Sequence, residues 1–585
     1  MNPTPSEGNE AALARAWIAE DPDPSTRAEL LDLLSAGNLS EVSERFSGRL
    51  AFGTAGIRGT LGAGPARMNR ALVRRVTAGL ARYLLEAAPD ACTRGVVVAR
   101  DARHMSPEFA LDTAAVLAGA GIPVHFFEDP VPTPVCAFAV TSLGAVAGVM
   151  VTASHNPPAD NGYKVYWSNG AQIIPPHDTG ISAAIDAVGS LASVALLTPE
   201  AARERELLRP VAPAVAERYY QAVLGLRRRR TGRRDLRIVY TPLHGVGGAW
   251  VKEVFRRAGY TGLRTVPEQA EPHPDFPTVS FPNPEEPGAM DLALAAARAQ
   301  GADLVLANDP DADRLAVGVR EGNDYRMLTG NEVGLLLAHE LLTVNPPPGE
   351  MVVMTTIVSL SLLGRMAKEL GVHYAETLTG FKWIANRAIE YESRGIAFVF
   401  GFEEALGYTA GDVVRDKDGV STALLVADLA AGLAADGKSL LDALEALYRR
   451  FGLVVAAQRS TTLPGSEGLA RIAGIMTTLR NVPPASIDGR SVFAIGDLRS
   501  RVRRETATGR ESPIELPPSD VLVYELEGGS RVLARPSGTE PKIKFYFEHS
   551  ERVGEAESFA PARERGERGL ASLMGAFQEI VDRRS

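Results

Sequence analysis

The sequence predicts an α/β fold that repeats one plan three times and closes with a smaller C-terminal α+β domain. Three observations carry this reading. The segments GVVVARD, LRIVYTP and MVVMTT each read as a short buried strand, followed by a loop, a helix-like stretch ending at glycine and a second strand. Val97, Val239 and Val353 mark the copies, 142 and 114 residues apart. Those spacings are far too long for a solenoid and suit a duplicated domain of alternating strands and helices. Each copy then ends on an apolar strand that runs into a polar loop: GAVAGVMV into TASHNPP, GADLVLAN into DPDADR, and GIAFVF into GFEEALGY.

A helical extension is expected over 1–45 and the first copy over 46–225, with SPEFALDTAAVLAGAG as its first helix and PVHFF as its second strand. The basic run Arg227 to Arg230, with Arg233 and Arg234, separates a helical stretch from the strand at Leu236–Tyr240. It reads as a solvated linker rather than a polyanion site. The second copy, 226–330, contains GGAWVKEVFRRAG and LRTV; the third, 331–455, contains SLLGRMAKELG and VHYAE. Over 456–585 the pattern changes to a helical stretch near Glu467–Leu479, strand-like runs and a Gly/Pro/Ser-rich loop at Thr506–Asp520. The strand VLVYELEG and the turn GGS lead to RVLARPSGTEPKIKFYFE, and the end reads as an exposed loop followed by an amphipathic helix.

The 585 residues carry 45% hydrophobic and 23% charged side chains, an ordinary globular composition, with a net charge of −9. Neither a nucleic-acid nor a membrane partner is expected from that balance, so any bound anion must be held by a local cluster of Arg and Lys. Cys92 and Cys136, the only cysteines, are too few for a disulfide framework and have no zinc-site spacing. MNPTPSEGNE lacks the features of a signal peptide, and a cytoplasmic protein, monomer or homodimer, is expected.

The polar loops carry the chemistry. Ligands of open α/β sheets sit beyond the carboxyl ends of strands, and all three loops lie there. Asp309, Asp311 and Asp313 alternate along DPDADR, so in an extended loop three carboxylates can converge on one hard cation such as Mg²⁺. A surface Asx-turn is the competing reading, and an EF-hand fits less well because Gly at position 6 and Glu at position 12 are missing. Ser154, in a loop stiffened by two prolines and leading to Lys164, is placed to carry a phosphoryl group. In RPSGTEPKIK, Arg535 and Lys544 offer cationic donors, and Ser537, Gly538 and Thr539 offer hydroxyls and a pliable backbone for a phosphate; a plain hairpin turn is the alternative. Glu403 and Glu404 are adjacent, so their side chains diverge, which fits a ligand for sugar hydroxyls better than an acid/base pair. FGTAGIRG adds a glycine-rich loop with Arg58, another phosphate contact.

These loops, in this order, resemble the α-D-phosphohexomutase family of phosphoglucomutases and phosphomannomutases, from FGTAGIRG to RPSGTEPKIKFY. TASHNPPADNGYKVYWSNGAQI and GFEEALGY resemble the long branch that includes phosphopentomutases and glucose-1,6-bisphosphate synthases. The resemblance implies three similar α/β domains with sandwiched mixed sheets and a fourth domain around a central active-site cleft. It implies a phosphorylated Ser154, Mg²⁺ on Asp309, Asp311, Asp313 and a Ser154 phosphate oxygen, and a sugar bisphosphate, glucose 1,6-bisphosphate, as activator and intermediate. Arg58, His155 and Lys164 would surround the transferring group, with Lys164 as general acid/base. Arg314, Thr379, Gly380, Lys382, Glu403, Ala405 and Lys417 would meet the substrate, and Arg535, Ser537, Gly538, Thr539 and Lys544 its distal phosphate. Interconversion of glucose 1-phosphate and glucose 6-phosphate is the first expectation. Phosphopentomutase, phosphomannomutase, a bisphosphate synthase and a non-catalytic phosphosugar-binding protein are the alternatives. Ala405 stands where many family members have Ser, removing one hydroxyl contact and bearing on the choice of sugar.

Overall fold

In the computed structural model, which describes residues 7–463, 465–537 and 542–583, the threefold plan reappears as strand order. The first sheet contains β1 (Ile57–Thr60), β2 (Val96–Arg100), β3 (Val124–Phe126), β4 (Ala147–Val151), β5 (Asp160–Trp167) and β6 (Leu208–Pro210), in the order β1-β5-β4-β2-β3-β6. The second contains β7 (Ile238–Thr241), β8 (Leu263–Thr265), β9 (Leu304–Ala307), β10 (Ala316–Glu321) and β11 (Asp324–Leu328), in the order β11-β10-β9-β7-β8. The third contains β12 (Met351–Thr356), β13 (His373–Thr377), β14 (Ala397–Glu403) and β15 (Gly407–Ala410), in the order β13-β12-β14-β15.

Each copy thus has a parallel core, its first strand flanked by its second and third, with an antiparallel strand beyond the third. The core strands are buried on both faces, as parallel strands covered by helices must be, so they read as continuous Val/Ile/Leu/Met runs rather than alternating ones. Helix boundaries follow local chemistry. Thr329 and Glu332 form a capping box at the start of helix Gly330–Thr343, and Gly371, with φ +69°, ends helix Leu362–Leu370.

The fourth sheet is antiparallel, with β16 (Leu453–Thr462), β18 (Arg490–Asp497), β19 (Val502–Glu505), β20 (Glu511–Pro513), β21 (Leu522–Leu526), β22 (Arg531–Pro536) and β23 (Lys542–Glu551) in the order β16-β23-β22-β21-β18-β19-β20; β17 (Ser486–Ile487) pairs with β18. The segment read as a loop at Thr506–Asp520 contains the edge strand β20, where Pro513 costs no interior ladder bond. The terminal helix runs over Phe559–Asp582 and buries Leu573 and Phe577 against this sheet's core. Among the described residues, no single helix is long and apolar enough to cross a membrane.

The arginine run departs from expectation. Arg227 grips Asp428 at 2.6 and 3.0 Å, and Arg229 grips Glu340 at 2.6 and 3.2 Å. Arg234 reaches Asp428 at 2.5 Å and stacks over Tyr260. Arg227, Arg229 and Arg234 therefore staple the run onto the helices of the third copy, whereas Arg230 and Arg233 are exposed; Asp428 and Glu340 lie more than one hundred residues away and leave no local signal.

Candidate active site

Ser154 lies just past β4, buried at 2% exposure and with φ +54°, a left-handed conformation that serine seldom adopts. Its N–H donates to the Thr152 hydroxyl at 2.8 Å, and its own hydroxyl donates to Asp309 Oδ2 at 2.9 Å. His155 Nδ1 lies 3.2 Å from the same Oγ. Asp309, Asp311 and Asp313 lie just past β9 and are buried, with one oxygen of each within 4.8 Å of the others. The carboxyl ends of β4 and β9 thus meet, as expected from their equivalent places in two copies of one sheet.

Positive side chains surround the carboxylates. Lys164 on β5 is buried and lies 2.8 Å from Asp311 and 3.0 Å from Asp313; Lys417 lies 3.3 Å from Asp313. Burial alone would depress the Lys164 ammonium, but the two carboxylates outweigh it and raise it above the usual lysine value. Burial, then the charges of Arg314 and Arg58, hold His155 well below the usual histidine value. Arg58 is brought in on β1, paired with β5; at Gly56, φ +75°, a Cβ would collide with the Tyr163 carbonyl, so only glycine permits this approach.

The residues present fit a divalent cation. Asp309 is pushed well above the usual carboxylate range by burial and then by its two neighbours. Asp311 Oδ2 already accepts from Lys164 and Thr133, while Asp311 Oδ1 and Asp313 Oδ1 are buried with no hydrogen-bond partner among the described residues. Buried oxygens without donors beside a hydroxyl oxygen are the hard ligand set that Mg²⁺ takes.

The third copy supplies a second layer. Glu403 accepts from the Gly380 N–H at 2.7 Å, whereas Glu404 accepts from the Ser359 hydroxyl at 2.7 Å, so the adjacent glutamates do diverge. Thr379 Oγ1 is buried without a partner among the described residues, and Ala405 is half-buried. Lys382 binds the Thr54 hydroxyl of the FGTAGIRG loop, and burial depresses its amine to about 8. Arg314 Nη1 lies 3.4 Å from Glu285. From the fourth sheet, Arg535 faces Lys544 across β22 and β23. Burial lowers the amines of both Lys382 and Lys544, and the Arg535 charge lowers each further. Ser537 donates its N–H to the Lys542 carbonyl at 2.7 Å; Gly538 and Thr539 lie outside the described residues.

The sequence reading missed four contributors: Thr133, which holds Asp311, Asp101 and Arg103, which brace the Ser154 loop, and Glu285. Asp101 and Arg103 carried a usable signal, because ARDAR places charge directly after a buried strand.

The comparisons agree with this architecture. The phosphoglucomutase/phosphomannomutase alpha/beta/alpha domains I, II and III match residues 49–191, 217–322 and 329–451, and the C-terminal domain matches 497–563. A probable phosphoribomutase of Schizosaccharomyces pombe is 39% identical over 92% of this chain and 93% of its own length. A phosphopentomutase of Mus musculus is 36% identical over 96% and 93%. The crystal structure of a putative phosphomannomutase from Thermus thermophilus shares the fold, with a TM-score of 0.65 at 24% identity, over 92% of this chain and 99% of that one. Matches of this extent, in this domain order, place the chain in the α-D-phosphohexomutase family of phosphosugar mutases.

Proposed function

We propose that this mutase interconverts the 1-phosphates and 5-phosphates of ribose and deoxyribose through a phosphorylated Ser154 and a bound 1,5-bisphosphate. The observation that carries the phosphoserine is the Ser154 hydroxyl, 2.9 Å from Asp309 in a buried ring of carboxylates and cations. The pentose choice draws on the phosphoribomutase and phosphopentomutase relatives and on Ala405, where the sugar loop has no hydroxyl. Hexose phosphates, the first reading of the sequence, remain the alternative substrate.

Mg²⁺ held by Asp309, Asp311, Asp313 and an oxygen on Ser154 would neutralise charge on the transferring phosphoryl group. Everything else falls to the chain. A sugar hydroxyl attacks the Ser154 phosphoryl group and a new P–O bond forms as the Oγ–P bond breaks; Ser154 Oγ takes a proton from Lys164, which the carboxylates keep as an ammonium, and the Lys164 amine takes up the proton of the attacking hydroxyl. Arg58 and Lys417 add positive charge, so the work is positioning and charge neutralisation. Glu403 and Gly380 bind sugar hydroxyls, while Arg535 and Lys544 hold the phosphate that is not reacting. The bisphosphate then reverses in the cleft, and its other phosphoryl group returns to Ser154.

Coupled assays with Mg²⁺ and a trace of bisphosphate would compare kcat/KM for ribose, deoxyribose, glucose and mannose 1-phosphates. The largest value is expected for a pentose, with all activity lost in Ser154→Ala. A hexose preference would overturn the substrate reading alone, and an active Ser154→Ala would sink the mechanism.

A further inference from the structure

Arg103 lies just past β2 in a loop that binds no part of the proposed substrate, yet it is among the most deeply buried large side chains, at 2% exposure. Its guanidinium is engaged by the Ser154 loop. Nη1 donates to the carbonyls of Pro157 (2.7 Å) and Asp160 (3.1 Å), and Nη2 to those of Ser154 (2.6 Å) and Asn156 (2.5 Å). Four carbonyls take up the four Nη hydrogens, so none is left for a phosphate. The Arg103 Nε lies 3.3 Å from Asp101 Oδ2, in a buried ion pair.

The contacts close a circuit through Ser154. Asp101 accepts from the Arg103 N–H at 3.0 Å, from the Ser106 hydroxyl at 2.7 Å and from the Thr152 hydroxyl at 2.6 Å; that Thr152 oxygen accepts from the Ser154 N–H. The Asp101–Arg103 pair therefore ties both sides of the Ser154 residue, its N–H through Thr152 and its C=O directly, which over-determines the left-handed φ of +54°. The guanidinium also meets the second copy. The Phe276 ring centroid lies 5.0 Å from Arg103 Cζ, Phe276 itself has φ +46°, and His104 Nε2 lies 2.6 Å from Asp275 beside it. Two residues in left-handed backbone thus both contact one buried cation.

The geometry points to Arg103 as a positioning residue that holds Ser154 in its reactive conformation and, by its stack on Phe276, couples that conformation to the docking of the second α/β unit. Only a planar fork meets four carbonyls at once, so an ammonium of equal charge cannot replace it. The inference rests on the reading of Ser154 as the phosphoryl carrier.

The test follows phosphoryl uptake at Ser154 from ribose 1,5-bisphosphate or glucose 1,6-bisphosphate by quenched-flow peptide mass spectrometry. Wild type, Arg103→Ala, Arg103→Lys and Phe276→Leu would be compared, with kcat and KM for the mutase reaction. Displacing a nucleophile by about 1 Å costs about 100-fold in rate, so uptake by Arg103→Ala and Arg103→Lys is expected to fall by that order, with KM little changed. Phe276→Leu should lose about tenfold, and millimolar guanidinium should restore Arg103→Ala while ammonium does not. A loss confined to KM, wild-type uptake by Arg103→Lys, or wild-type uptake by Phe276→Leu would overturn the inference; the last arm decides if the Arg103 variants do not fold. Wild-type protein that takes no phosphate on Ser154 would instead refute the reading beneath it.

Discussion

Thr133 binds Asp311 twice, its hydroxyl donating to Oδ2 at 2.7 Å and its N–H to the Asp311 carbonyl at 2.9 Å. One residue of the first copy thereby aims a carboxylate of the second, leaving Oδ1 for a cation. Partners of metal ligands of this kind are worth about 10–100-fold in affinity. Thr133→Val should raise the Mg²⁺ concentration for half-maximal activity by about tenfold, and calorimetric Mg²⁺ titration should show the same shift. Unchanged affinity would mean that the backbone bond alone orients Asp311.

Three buried carboxylates repel one another when no cation lies between them. Asp309→Asn should therefore melt higher than wild type in EDTA while losing both activity and the stabilisation that Mg²⁺ gives wild type, about 2.7 kcal/mol at one hundred times Kd. Calorimetry with and without Mg²⁺ reads this directly. A lower Tm in EDTA would show that Lys164 already compensates the triad.

Lys382, depressed to about 8 by burial, is an ammonium below that pH and a neutral amine above it. A cation expected to meet the anionic substrate would be lost as pH rises, so KM for the sugar phosphate should increase between pH 7 and 9 while kcat changes little. Lys382→Arg, charged throughout, should flatten the KM profile. A kcat that rises instead would assign Lys382 to proton transfer.

Asp428 accepts from Arg227, Arg234 and Tyr260 at 2.5–3.0 Å and is 3% exposed. Asp428→Ala leaves two part-buried cations, Arg227 and Arg234, without their carboxylate, at a cost of about 3 kcal/mol in urea denaturation. The kcat of the folded protein should hold, because this staple is separate from the cleft.

Ala405→Ser restores a hydroxyl to the sugar loop. One hydrogen bond contributes about 1 kcal/mol, so the ratio of kcat/KM for glucose 1-phosphate over ribose 1-phosphate should rise about fivefold. An unchanged ratio would remove position 405 from the determinants of sugar choice.

Much of this molecule was legible before folding was considered. The strand–helix–strand runs needed only periodicity, and their agreement at Val97, Val239 and Val353 foretold three sheets of the same order. The divergence of Glu403 and Glu404 was also a local matter, since successive residues of an extended chain point apart. The short edge strand β20 was not legible in this way, because Glu511–Pro513 has no apolar alternation and exists only by pairing with β19.

By itself, the sequence determined which groups are chemically able: a serine and three aspartates placed at the ends of equivalent apolar strands. Tertiary structure alone decided which charges meet. Ser154 and Asp309 are 155 residues apart, Arg227 and Asp428 are 201 apart, and Arg103 finds its partners in the carbonyls of another loop. Local pattern sets where a strand ends and which polar loop comes after it. The partner of a buried charge depends on which strand ends the sheets bring together, and burial makes that pairing obligatory.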